Sequence, residues 1–260
     1  MRWFVIALTL LTLAGCATRP TAPPKDKELS RTGDLARAAF EDGATAKAIG
    51  LYQEALNRAH AMDDATEIGN ATYNLALCHI LLGQLDQANA LLAEAKAAFT
   101  RSGSNPADVL LLEATVAQRQ GKLEQALSLA DQVLAASSDE NDLFQAALLK
   151  GMIACDQGDP TRARTALAEA SQHHIANAAL LAARERLAGT IFLLEVNPAE
   201  AAAAFDRAAG LFQKAKRYRD MALTLRRAGA AYRDAGDTQR AEDRLFRAQR
   251  SLAAQGEKAE

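Results

Sequence analysis

The stretch NLALCHILLGQLDQANALLAEA, residues 74–95, sets a pattern that most of the chain repeats. It contains a small residue, a Gly seven positions later, an Ala after five more, a bulky residue after four and a small residue after three: Ala76, Gly83, Ala88, Leu92 and Ala95. Apolar residues at such spacings share one face of a helix, and a Gly between two apolar runs is typical of a turn. The stretch therefore predicts a hairpin of two packed helices.

Five further stretches carry the same spacing. The corresponding residues are Ala36, Gly43, Ala48, Tyr52 and Ala55; Ala114, Gly121, Ala126, Ala130 and Val133; Gly151, Gly158, Ala163, Leu167 and Ala170; Gly189, Val196, Ala201, Phe205 and Ala208; and Gly229, Gly236, Ala241, Leu245 and Ala248. The fifth set lacks the turn Gly, and we expect Asn197-Pro198 to make that turn. The central Ala residues lie 40, 38, 37, 38 and 40 positions apart. A period of 37–40 residues predicts an all-α superhelix, a solenoid of six helical hairpins.

The small residues have a packing role in this interpretation. We expect the first small residue of each set to lie on the first helix, where the second helix of the same hairpin crosses closely. The central Ala then lets the second helix pack tightly against the first, and the bulky residue continues its buried stripe.

The composition agrees with a helical protein and disfavours nucleic-acid binding. Hydrophobic residues make up 49% of the 260 residues but aromatic residues only 5%, so the apolar content is mostly Ala and Leu, which favour helices. The formal net charge is −2. A chain with this balance has no overall electrostatic attraction for nucleic acid.

The N-terminus predicts a signal peptide over residues 1–15. Arg2 supplies a positive charge, and residues 3–13 form an uncharged apolar run. A membrane-spanning helix needs about 20 apolar residues, so this run is too short to cross a bilayer and is typical of a cleaved signal.

The end of that run, Leu13-Ala14-Gly15-Cys16, resembles the lipobox of bacterial lipoproteins. The resemblance implies that Cys16 becomes the mature N-terminus and carries acyl chains such as palmitate. In a Gram-negative host, Ala17 in place of the Asp that commonly marks inner-membrane retention favours the outer membrane, with the chain facing the periplasm. An ordinary secretory signal followed by a chance Cys is the alternative.

A tether is predicted after the signal peptide. Residues 16–33 carry three Pro and few apolar side chains, so we expect an extended linker between the lipidated Cys16 and the solenoid, which we place at residues 34–256.

Residues 74–95 and 226–249 also resemble the tetratricopeptide repeat, and the resemblance covers about 220 residues of the chain. The chain departs from the family in its period, which is longer than the usual 34 residues, and in lacking most of the early Trp and late Pro positions. The resemblance implies a concave groove, lined by the first helix of each hairpin, that binds protein or peptide partners.

Carried onto this sequence, the groove positions lie six and three residues before the first small residue and one and four after it. The candidate binding residues are Asn70, Tyr73, Leu77, Leu111, Thr115, Gln118, Leu148, Met152, Arg186, Arg226 and Arg233, with Ile80, Asp108, Gln145 and Thr190 at equivalent positions. The centre of this set is apolar and its C-terminal end is basic, which favours a peptide with a hydrophobic middle and an acidic end. The alternative is that Leu77, Leu111 and Leu148 simply pack against the next hairpin.

No residue pattern points to catalysis, a metal or a cofactor. The sequence lacks a nucleophile elbow and a phosphate-binding Gly loop. His173 and His174 are adjacent, and consecutive helix residues point about 100° apart, which disfavours a shared metal. Cys78 and Cys155 fall two hairpins apart, so we expect free, buried thiols.

The sequence thus predicts a non-enzymatic, lipid-anchored scaffold or adaptor that binds protein or peptide partners of the cell envelope at the periplasmic face of the outer membrane. Envelope assembly and secretion or pilus accessory roles are the kinds of function that this architecture suggests. The alternative is a regulator that binds peptidoglycan or cell-wall enzymes directly.

Overall fold

The computed structural model describes residues 26–255, and every regular element in that range is an α-helix. The helices are α1 (Lys27–Glu41), α2 (Thr45–Ala61), α3 (Ala65–Leu81), α4 (Leu85–Ser102), α5 (Ala107–Arg119), α6 (Leu123–Ala136), α7 (Glu140–Asp156), α8 (Pro160–Ala170), α9 (Ala178–Leu194), α10 (Pro198–Lys214), α11 (Tyr218–Asp234) and α12 (Thr238–Ala254). Consecutive helices pack as hairpins, from α1 with α2 to α11 with α12. The predicted solenoid of six hairpins is confirmed.

The turns inside the hairpins follow the predicted positions. In five hairpins the predicted Gly adopts a positive φ, between 70° and 83°: Gly43, Gly83, Gly121, Gly158 and Gly236. In the fifth hairpin Val196 takes this conformation, with φ 57°, and Pro198 begins α10. The left-handed region costs a non-Gly residue about 1–2 kcal/mol. The side chain of Asn197 accepts a hydrogen bond from the backbone N–H of Glu200 and so caps the helix after this strained turn.

Close helix crossings explain the small residues. A Cβ atom built on Gly189 would lie 2.7 Å from the ring of Phe205, and one built on Gly229 would lie 2.8 Å from Leu245. Both contacts join the two helices of one hairpin, as expected. At Gly151 the second helix of the hairpin also approaches, with Ala166 Cβ at 3.4 Å, but the nearest atom, at 2.6 Å, belongs to Leu187 of the next hairpin.

The solenoid begins earlier than predicted. Helix α1 starts at Lys27, not near residue 34, because Leu29, Thr32 and Ala36 recur at helical spacing and are all buried. The Asp26 carboxylate accepts a hydrogen bond from the backbone N–H of Leu29 at 2.8 Å and caps the helix.

The same carboxylate holds the first helix to the second, since it also pairs with the Arg58 guanidinium, at 2.7 Å to Nε. These contacts lower the pKa of Asp26 to about 2, mainly through the hydrogen bond from Arg58. Residues 27–33 therefore belong to the fold and not to the tether. The predicted signal peptide and residues 16–25 of the predicted tether, Cys16 included, lie outside the described residues.

The first helices of the hairpins lie on the inner side of the curve. Helix α5 contacts α7, and α7 contacts α9, although a second helix separates each pair in sequence. Within residues 26–255, no two second helices of successive hairpins contact each other to the same extent. A stack of hairpins curves toward the side where its helices lie closer together. The odd-numbered helices therefore form the concave face.

The hydrophobic core lies between the odd-numbered inner helices and the even-numbered outer helices. The central Ala of all six hairpins is buried there, at no more than 3% exposure: Ala48, Ala88, Ala126, Ala163, Ala201 and Ala241. Among the described helices, none is long and apolar enough to cross a membrane.

Candidate functional site

Side chains that join neighbouring odd-numbered helices mark the concave face, which we call the groove. Gln118 Nε2 of α5 donates to Asp156 Oδ2 of α7 at 2.7 Å. Arg227 Nη2 of α11 donates to Thr190 Oγ1 of α9 at 2.9 Å. Two predicted groove positions, 118 and 190, thus lie where successive inner helices meet.

The predicted residues divide into a surface group and a core group. Half-buried or exposed in the groove helices are Asn70, Tyr73, Leu77, Thr115, Gln118, Met152, Arg186, Arg226 and Arg233. Leu111 and Leu148 are only 8% and 5% exposed and belong to the hydrophobic core. For these two residues the packing alternative holds, so they offer no surface to a partner. Leu77 stays half-buried and accessible.

The first half of the groove, from α3 to α7, is acidic. Half-buried Tyr73 lies near the carboxylates of Asp108 and Asp142, and burial together with these negative charges raises its pKa to about 12. Burial also raises the pKa of Asp108, and the neighbouring carboxylates of Asp142 and Asp139 add to the effect. A negatively charged partner group is disfavoured in this half.

The other half is basic and is built from α9 and α11. The Arg186 guanidinium lies over the Phe212 ring, 5.6 Å from its centroid, and that of Arg227 lies over the Phe205 ring at 4.5 Å. Burial lowers the pKa of Arg186, and a contribution of the same sign comes from Arg119, two hairpins away on α5. The curvature of the solenoid therefore brings positive groups of α5, α9 and α11 to one region.

Arg227 was missed by the sequence analysis, which placed Arg226 in the groove. Arg226 is exposed, whereas Arg227 is half-buried between α9 and α11. One residue on a helix changes the direction of a side chain by about 100°. Only the partners of Arg227, the Thr190 hydroxyl and the Phe205 ring, reveal its place, and both lie in another hairpin.

The described residues form surface depressions; one of about 560 Å³ lies wide open to solvent on α6, beside Leu127 and Ser128. A depression of about 160 Å³ lies between α10, α11 and α12, lined among others by Met221 and Arg244. Small-molecule sites usually measure about 300–1,000 Å³, so this one is too small for most substrates. Within residues 26–255, no three His, Cys, Asp or Glu side chains lie close enough to hold a metal ion.

Cys78 and Cys155 are unpaired and buried. Burial raises the pKa of each thiol to about 11 from an ordinary value of 9.0. Because the thiolate is the reactive form, we expect iodoacetamide at pH 8 to leave both residues unmodified in the native chain and to alkylate them in urea. Rapid alkylation of the native chain would contradict the buried placement of the two thiols.

The raised pKa of the two thiols also predicts that the free energy of unfolding falls as the pH rises from about 9 to about 11. Urea titrations across that pH range measure this change.

Comparisons with known proteins rest on structure alone. No known family model matches the sequence, and no curated protein matches it. Solved structures do match. BtubC from P. vanneervenii shares 21% identity and a TM-score of 0.56, covering 90% of this chain and 95% of that one. PilW, a widely conserved type IV pilus biogenesis factor, shares 15% identity and a TM-score of 0.58, covering 88% and 95%.

A third similar structure contains a bound peptide. The Rap conjugation gene regulator of the plasmid pLS20, solved in complex with a Phr peptide, shares 14% identity and a TM-score of 0.67. The match covers 90% of this chain and 65% of that one. Together these structures show that the chain has the fold of a tetratricopeptide-repeat solenoid.

Proposed function

We propose that the chain is a non-catalytic scaffold that binds an extended polypeptide along the groove. The observation that carries this proposal is the division of the inner helices into a buried side and an accessible side. The accessible side offers apolar surface on α3, at Leu77 and at Leu81, which is 47% exposed. Acidic groups lie beside it on α5 and α7, and basic groups lie further along the groove on α9 and α11. Apolar contacts supply affinity, and separated charges select the register of a peptide.

The solved neighbours support this reading through their fold. The Rap regulator, whose fold is similar, was solved in complex with a Phr peptide. PilW is a type IV pilus biogenesis factor. Since the identities are 14% and 15%, partner and pathway do not transfer to this chain.

The location is also part of the proposal. The signal-like residues 1–15 and the lipobox-like Cys16 support a lipid anchor, and Ala17 favours the outer membrane with the solenoid facing the periplasm. Two or three acyl chains on one residue suffice for stable attachment. The partners are then proteins or peptides of the cell envelope.

A matched pair of variants tests the groove. Leu81 follows the first small residue of its hairpin by five positions, as Asp156 does at the α5–α7 junction, and it is 47% exposed. Leu35 on α1 is 48% exposed but precedes its small residue by one position. Lys150, at the same position of α7, pairs with Asp131 of α6, so this position faces a second helix and not the groove. We expect Leu81→Arg to reduce capture of envelope proteins at least tenfold, and Leu35→Arg to leave capture unchanged.

The measurement is quantitative mass spectrometry of proteins that the tagged full chain captures from detergent-solubilised envelopes of its own cells. An unrelated lipoprotein provides the background. Capture that Leu81→Arg abolishes and Leu35→Arg preserves supports the groove as the binding surface. Equal capture by both variants, or none above background, contradicts it. Sedimentation of the chain with purified peptidoglycan, unaffected by Leu81→Arg, would favour direct cell-wall binding instead.

A further inference from the structure

Two arginines differ from all others of similar burial in the described range. Residues 26–255 contain five half-buried arginines. Arg58 pairs with Asp26, Arg184 with Glu185, and Arg244 with Asp206. The other two, Arg186 and Arg227, form no ion pair with a carboxylate in that range; an aromatic ring lies under each, and Arg227 also donates to a hydroxyl.

These two side chains are neighbours. Thr190 follows Arg186 by one turn of α9, and the Arg227 guanidinium donates to the Thr190 hydroxyl at 2.9 Å. One turn of a helix is about 5.4 Å, so the positive groups lie near each other on the same side of α9. Both guanidinium groups retain N–H donors that these contacts leave free, since an arginine carries five.

The two positive charges lower the stability of the chain when no partner is bound. Burial lowers the pKa of both arginines, and the charge of Arg186 lowers that of Arg227 further. Asp220 partly offsets the effect on Arg186, but its carboxylate forms an ion pair with Arg217, at 2.7 Å. A buried charge without a counter-charge destabilises a protein unless another group compensates it.

We propose that Arg186 and Arg227 together bind the carboxylate of an Asp or Glu side chain in the polypeptide that occupies the groove. This inference rests on the proposed function and names the chemistry of its partner. Planar guanidinium groups match a carboxylate through paired N–H donors, and the bound carboxylate would supply the ion pair that neither arginine forms within residues 26–255.

The surroundings favour an acidic peptide over a free anion. Leu193 and Leu194, 37% and 38% exposed, follow Arg186 on α9 and offer apolar contacts that phosphate cannot use. At the other end, Asp108 and Asp142 disfavour a second acidic residue. The partner segment therefore carries its acidic residue beside apolar ones at α9 and α11, with neutral or basic residues toward α3 and α5.

Selection from a random peptide library tests the inference without knowledge of the natural partner. The probe is a displayed library of 12-residue peptides, and the bait is the full chain in detergent. We expect the enriched peptides to contain Asp or Glu at one aligned position at least threefold more often than the unselected library. The double variant Arg186→Gln/Arg227→Gln should lose this acidic preference.

The control is Arg247→Gln/Arg250→Gln, which removes the same charge from exposed positions of α12, a second helix outside the groove. It should keep the acidic preference. Enriched peptides without an acidic position would overturn the inference and leave the scaffold function standing. Enrichment of no peptide at all would instead count against the scaffold function. A preference lost only in the control would place the carboxylate on the exposed arginines and overturn this assignment.

A stability measurement separates this role from a structural one. Arg186→Met keeps an apolar stem over Phe212 and removes the uncompensated charge, so we expect Tm to rise by about 2–4 °C. Circular dichroism melting of the full chain measures the shift. A fall in Tm would show that groups of the chain itself already stabilise the charge of Arg186. That result would contradict the proposed carboxylate-binding role. The same melting curves confirm that the glutamine variants fold.

Discussion

Gly189→Leu is expected to lower the free energy of unfolding by about 3 kcal/mol, because the added side chain has no space. A Cβ at this position already lies 2.7 Å from the Phe205 ring. Phe205 is fully buried between the helices of its hairpin and also lies under Arg227, so it cannot move aside without opening the hairpin. The substitution therefore separates α9 from α10.

A second glycine of the same hairpin provides the control. Gly210 lies inside α10, is exposed, and would meet nothing within 4 Å of an added Cβ. Leu favours a helix more than Gly by roughly 0.5–1 kcal/mol, so Gly210→Leu should stabilise the chain slightly. Urea unfolding followed by circular dichroism measures both variants. Similar effects of the two substitutions would contradict the close crossing of α9 and α10.

Cys16→Ala is expected to move nearly all of the protein out of the membrane fraction. The lipobox-like sequence predicts that acyl chains on this residue are the attachment, and a chain without them has no equivalent anchor among the described helices. Membrane fractionation and metabolic labelling with a palmitate analogue measure the change. Unchanged fractionation together with unchanged labelling would show that Cys16 is not the acylated residue.

The neighbouring residue gives a matched variant for the destination. Ala17→Asp leaves Cys16 and its acyl chains in place, so in a Gram-negative host the chain should remain membrane-bound but shift from the outer to the inner membrane. Density-gradient separation of the two membranes distinguishes these locations. Inner-membrane location of the unaltered chain would contradict the proposed outer-membrane location.

Local sequence was sufficient to predict the hairpins. The turn Gly and the central Ala recur at fixed distances because each hairpin repeats one packing problem, in which two helices must reverse direction and approach closely. The approach of Phe205 to Gly189 lies within one such unit. Short-range spacing is therefore enough to predict where each hairpin turns. Five of the six turns contain the predicted Gly in a left-handed conformation, and in the remaining one, in the fifth hairpin, Val196 takes this conformation.

The boundary of the first hairpin shows how composition can mislead. The Pro-rich run suggested a tether up to residue 33, yet no Pro occurs after Pro24 in that segment. The Asp26 cap and its pair with Arg58 decide where α1 begins, and Arg58 lies 32 positions away in the next helix. Such a long-range contact leaves no local signal.

The residues of the groove could be predicted from the sequence less well than the hairpins. Family spacing placed Leu111 and Leu148 at the binding surface, but both are buried, and it left out Arg227, which lies between α9 and α11. Which side of each inner helix is covered depends on the angle at which the next hairpin packs. That angle is set by contacts between hairpins, such as Leu187 against Gly151, and not by the spacing within one.

The sequence by itself determined that this protein is a stack of six helical hairpins, because a small set of side-chain sizes at fixed distances defines each hairpin. Only the tertiary structure decided that Arg186 and Arg227 meet and that neither forms an ion pair with a carboxylate of residues 26–255. Their proximity depends on the packing of α9 against α11, where side chains 37 residues apart in sequence come into contact.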